Sequence, residues 1–122
     1  MKRAFLLLLA GIISTQVLAM AKTTKPYEPP QWHENANAED DAGVALKYDD
    51  KRLLAYYGRG VVIPGIQPDE KEILSEKCGL RMMDGFGDVV RSDAHLEKMK
   101  IMRAYAEKYN QLVAPQCRKD KD

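Results

Sequence analysis

The chain has 122 residues, 19 of them basic and 18 acidic. That near balance leaves none of the clustered basic surface on which phosphate-backbone binding rests, so nucleic acid is not an expected partner. Glu97 and Glu107 lie among the lysines of the most amphipathic stretch, which removes the case for a basic membrane-surface helix.

Lys2-Arg3, the apolar run from Ala4 to Ile13 and the small residues at Ala19-Met20-Ala21 are the three parts of a secretory signal peptide. A membrane anchor needs about 20 consecutive apolar residues, and Ser14, Thr15 and Gln16 interrupt this run. Cleavage is expected after Ala21, with Ala19 as the alternative, and no cysteine follows to carry a lipid. The remaining 101 residues hold 17 basic and 18 acidic side chains. They are expected to work in the periplasm or outside the cell, with no stable membrane insertion.

Residues 22–42 carry Pro26, Pro29, Pro30 and the run Glu39-Asp40-Asp41, with Tyr27 and Trp32 as the only large apolar groups. Such a composition buries too little surface to offset its ordering entropy, which predicts a flexible, polyproline-like arm. Trp32 either folds back onto the body or anchors a partner. Residues 43–117 are expected to form one helical domain. Leu46, Leu53, Leu54 and Tyr57 can share a helix face, with Asp49-Asp50 capping a short helix over 51–57 and Gly58 ending it. Val61 to Ile66 is apolar and bounded by glycine and proline; with no second strand-like run to pair with, it is expected to be an extended connector.

Pro68 suits a first helical turn, and Asp69, Glu70 and Glu72 place negative charge at the positive end of the dipole. Ile73, Leu74 and Cys78 are expected on the buried side, with Gly79 as terminator and Gly85-Phe86-Gly87 as a break. Phe86, Val89 and Val90 are expected to fill the gap beneath that turn. From Ser92 onward, Leu96, Met99, Met102, Ala106, Tyr109 and Val113 draw a helical stripe, widened by Ile101, Tyr105 and Leu112. Ser92 or Asp93 caps this long helix, and Pro115 is expected to stop it. Residues 118–122 read as a charged tail.

Cys78 and Cys117 are the only cysteines of the exported part, far from any C-x-x-C spacing, which predicts a disulfide. It would bring the C-terminal ends of two helices together, in a body whose core alone contributes only about 3 to 5 kcal/mol.

The chemical repertoire is thin. His33 lies in the arm and His95 in the first turn of the long helix near Ser92 and Asp93; neither faces an evident nucleophile, so no catalytic residue is assigned. No ligand spacing supports a metal site, C-x-x-C-H is missing for haem, and Met82, Met83, Met99 and Met102 read as core rather than copper ligands. No cofactor is expected. Tyr56, Tyr57 and Arg59, with Trp32, are the residue types enriched at interface hot spots, and mark the candidate binding face.

The expectation is therefore an all-α protein, a small three-helix array with one long C-terminal amphipathic helix, an extended connector and one disulfide. Its expected role is that of an exported factor binding another envelope or extracellular protein, an inhibitor or accessory subunit without catalysis. Two rivals stand beside it: a carrier of a small ligand, metal or haem in a pocket lined by methionine and tyrosine, and, less favoured, a small hydrolase.

Overall fold

The structure, a computed structural model, describes residues 26–86 and 90–119. The expected signal peptide, the first residues of the expected arm, Gly87, Val89 and the last three residues of the expected tail lie outside the described residues.

Among the described residues the order is α1 (Ala38–Lys47), β1 (Leu53–Gly58), β2 (Gly60–Val62), α2 (Lys71–Cys78), β3 (Leu80–Met82) and α3 (Asp93–Lys119). The all-α expectation is overturned: three helices pack with a three-stranded mixed sheet of order β2-β1-β3. β1 runs antiparallel to β2, with Tyr57 opposite Val61, and parallel to β3, with Leu54 opposite Arg81.

The expected helix over 51–57 is β1 instead. Leu53, Leu54, Ala55 and Tyr56 are all buried, and a strand covered on both faces reads as a continuous apolar run that periodicity cannot distinguish from a buried helical turn. Asp49 and Asp50 do not cap a helix. Asp49 takes a left-handed turn at φ 61°, and the Asp50 carboxylate accepts from the Arg52 backbone and guanidinium, which holds the chain extended into the strand. The expected connector supplies β2, and the pairing partners escaped notice because β2 and β3 are three residues each.

Helix α1 starts inside the stretch expected to be an arm. Asn37 caps it by accepting from the Asp40 N–H at 3.0 Å, and Ala42 and Ala45 are buried where α1 packs on α3. In α2, Leu74 is buried but Ile73 is 65 % exposed, not covered as expected. Gly79 ends the helix at φ 80°.

Helix α3 runs through Pro115 to Lys119, so the expected proline stop does not occur. An internal proline costs about 3 kcal/mol. The turn beyond it is held from outside, by Cys117 bonded to Cys78 and by Arg118 donating to both carboxylate oxygens of Glu70 at 2.8 and 3.0 Å. Met102, Tyr105, Ala106, Tyr109, Asn110, Val113, Ala114 and Cys117 form its buried stripe. Leu96, Ile101 and Leu112 from the expected stripe are exposed, as is Val90, expected beneath the turn. The disulfide joins the ends of α2 and α3 with Cα atoms 5.8 Å apart.

Asn110 ties α3 to the sheet. Its side chain is fully buried; the amide oxygen accepts from the Leu54 N–H at 2.8 Å, and the NH2 donates to the carbonyls of Leu54 and Pro64 at 2.9 and 2.8 Å. Continued by two residues, the β1–β2 register would set Leu54 opposite Pro64. Proline has no N–H to offer the ladder; Asn110 supplies the missing donor and acceptor from the helix. This close approach also involves Gly65, where at φ 81° any Cβ would meet the Glu107 carbonyl oxygen at 2.8 Å.

Candidate functional site

Side chains alternate across β1, and that alternation divides the candidate binding residues. Tyr56 points with Leu54 toward α3. It is buried, stacks on Phe86 at 3.9 Å between centroids, and its hydroxyl accepts from Arg103 Nη2 at 2.7 Å. Together with Leu96, Met99 and Lys100 these groups line a cleft of about 210 Å³. Tyr57 points to the other face and is 66 % exposed. Its cross-strand partner Val61 borders an open cleft of about 560 Å³ with Pro68, Leu80 and the outer side of α2. Arg59 is exposed at the tip of the hairpin, between Gly58 and Gly60, which are paired; Gly60 adopts φ 99°.

Trp32 is partly buried against the core, with Lys98 Nζ 5.7 Å from its ring centroid. What positions it is the anchoring of the preceding residues: the Tyr27 hydroxyl donates to Asp50 at 2.8 Å, and its ring stacks on Tyr48 at 4.7 Å. The structure thus brings Tyr57 and Arg59 together on one hairpin and separates them from Tyr56 and Trp32.

Hydrogen bonds from Arg52, opposed by burial and aided by Tyr27, lower the Asp50 pKa to about 2 from the ordinary 3.8. A carboxylate whose folded pKa is depressed contributes stability that is present above the unfolded pKa and lost as pH falls toward the folded one. Acid unfolding is therefore expected to carry a component between about pH 4 and pH 2. Asp50→Asn removes that component and costs about 1 to 2 kcal/mol at neutral pH, a figure discounted for the exposure of Arg52; urea titrations across acid pH measure it.

A third cleft, of about 180 Å³, lies between Trp32 and α3 and is lined by Leu54, Arg81, Met83, Met102 and Tyr105, with Gln31, Met82 and Asp84 around them. Sequence reading passed over Arg81, although a lone charge in the run Leu80 to Met83 was the available signal. Its guanidinium lies 5.7 Å from the Tyr109 ring centroid, Nη2 donates to the Tyr109 hydroxyl at 3.4 Å, and Nε is buried with no acceptor. Burial raises the pKa values of Tyr105 and Tyr109, so both phenols are neutral and neither supplies a counter-charge.

The histidines sit in local backbone roles. Ser92 Oγ accepts from the His95 N–H at 3.1 Å, capping α3, and His95 Nδ1 accepts from the Arg91 N–H at 3.2 Å. His33 Nδ1 accepts from the Asn35 N–H at 3.3 Å. Among the described residues no group of three or more His, Cys, Asp or Glu could hold a metal, and no helix is long and apolar enough to cross a membrane. Compared with protein-family models, curated proteins and solved structures, the chain finds no match. The disulfide is compatible with a periplasmic or extracellular setting.

Proposed function

We propose that this chain is a small exported binding protein, an inhibitor or accessory factor without catalysis, that engages another protein through the β1–β2 hairpin. The observation that carries the reading is Tyr57, 66 % exposed on a strand whose backbone is fixed by two ladders and, through Leu54, by Asn110. A large aromatic side chain held on a rigid strand loses little conformational entropy on binding, and with an adjacent arginine it has the chemistry of an interface hot spot. The open cleft beside Val61 offers the partner an apolar surface to cover. Export is supported by the leader pattern and by the cysteines, both consumed in a disulfide.

The test is capture from the exported fraction with the wild-type chain, with a Tyr57→Ala/Arg59→Ala double variant and with Ile101→Ala, an exposed residue of α3, as control. The expected result is a partner held by wild type and control and weakened by about thirtyfold in the double variant, the equivalent of roughly 2 kcal/mol. Equal recovery by all three proteins would remove the hairpin from the proposal.

A further inference from the structure

Arg81 has an electrostatic account that does not close within the chain. Arg81 is half-buried with its Nε fully covered, and a charge drawn partly out of water is ordinarily paired, because desolvation is costly without a counter-charge. Among the described residues no carboxylate lies within ion-pair distance of Arg81. The carboxylates that share its tyrosine neighbours are engaged elsewhere: Asp41 accepts from the Tyr105 hydroxyl, and Asp50 accepts from Arg52 and Tyr27. Asp84 borders the same cleft but is exposed. The guanidinium is left with one long bond to a phenol and a buried Nε that has no acceptor.

Around that charge the walls are mixed: Gln31, Asp84 and Tyr105 bring polar atoms, and the apolar part comes from Trp32, Leu54 and the methionines. Met83 and Met102 are flexible and polarizable, suited to fitting an irregular guest, and Trp32 and Leu54 add flat and branched surface. The volume of about 180 Å³ corresponds to about six water-sized groups, which admits a small molecule rather than a folded chain. A guanidinium prefers planar anions that accept two parallel N–H bonds.

We propose that the cleft between Trp32 and α3 is a binding site for a small monocarboxylate, its carboxylate on Arg81 and its short apolar body against Trp32, Met83 and Met102. This site is separate from the hairpin, so each reading stands or falls without the other. It also gives the extended segment before α1 a role, since Gln31 and Trp32 form one wall and Tyr27 holds them in place through Asp50.

The chain contains a single tryptophan, so its fluorescence reports on this wall directly. Benzoate and isobutyrate are titrated into the full disulfide-bonded protein, with benzamide as the neutral isostere of benzoate. The expected result is a saturable fluorescence change and a concentration-dependent rise in melting temperature with the carboxylates, and neither with benzamide. Arg81→Gln weakens binding by about tenfold or more, while Arg103→Gln, outside the cleft, leaves it unchanged. If Arg81→Gln does not fold, Met82→Trp, which narrows the mouth while keeping Arg81, is expected to reduce the thermal shift in its place. Equal responses to benzoate and benzamide, an unchanged affinity in the Arg81 or Met82 variant, or no saturable response at millimolar carboxylate would each overturn the proposal.

Discussion

Asn110→Leu is expected to lower the unfolding free energy by about 4 kcal/mol, a large part of what a domain of this size possesses. Leucine keeps asparagine's branched skeleton and is somewhat larger, so the loss does not come from a cavity. It comes from three backbone groups, the Leu54 N–H, the Leu54 carbonyl and the Pro64 carbonyl, stranded out of reach of water. Each such group costs about 1 to 3 kcal/mol when its partner is removed. Denaturant unfolding followed by circular dichroism measures the effect. Asn110→Asp separates this account from a simple packing fault. The carboxylate can still accept from Leu54 but donates to neither carbonyl, and burial raises its folded pKa above the unfolded value of about 3.9. A raised carboxyl pKa means stability is recovered as pH falls, so the Asp penalty shrinks on acidification while the Leu penalty does not. Equal pH behaviour of the two variants would count against the role given to the amide.

The parts of the fold legible from sequence were those with a long repeat of one signal. The stripe from Met102 to Val113 recurs at helical spacing over several turns, and α3 follows it. The segment from Pro68 to Gly79 carries acids at its start and glycine at its end, and α2 lies within it. The sheet was illegible for a physical reason: its strands are too short to show alternation, and β1 is buried on both faces, so Leu53 to Tyr56 carries no polar residue to mark a period. The Asp49-Asp50 pair misled because the same residue types that cap helices also form turns and bind arginine.

The candidate site followed the same division. Residue type alone singles out Trp32, Tyr56, Tyr57 and Arg59, but whether Tyr56 and Tyr57 face outward is decided by the pleat of β1, whose apolar run also fits a helix. Asn110 and Arg81 escaped because their importance is relational. Asn110 matters through the proline opposite Leu54, and Arg81 through the carboxylates that bind other partners. The signal in both cases was a polar residue interrupting an apolar pattern.

Reduction of the Cys78–Cys117 bond, or its replacement by Cys78→Ser/Cys117→Ser, is expected to cost about 4 kcal/mol, since the cysteines are 39 residues apart and closing a loop of that length removes about that much entropy from the unfolded chain. With Asn110 intact and the core unchanged, this leaves only the few kcal/mol that the core supplies, and the melting temperature falls accordingly, which a thermal melt with and without reductant will show. A second, local effect accompanies the first. Beyond Pro115 the final turn of α3 is held by the bridge, by Arg118 on Glu70 and by Lys77 donating to the Arg118 carbonyl at 3.1 Å. The last two are exposed contacts worth little alone. In the reduced protein that still folds, amide exchange from Gln116 to Lys119 should therefore rise more than exchange around Asn110. If reduction raises exchange at that end but leaves the melting temperature where it was, the core holds without the bridge. The dependence on an oxidising compartment, and with it the structural support for export, would then be lost.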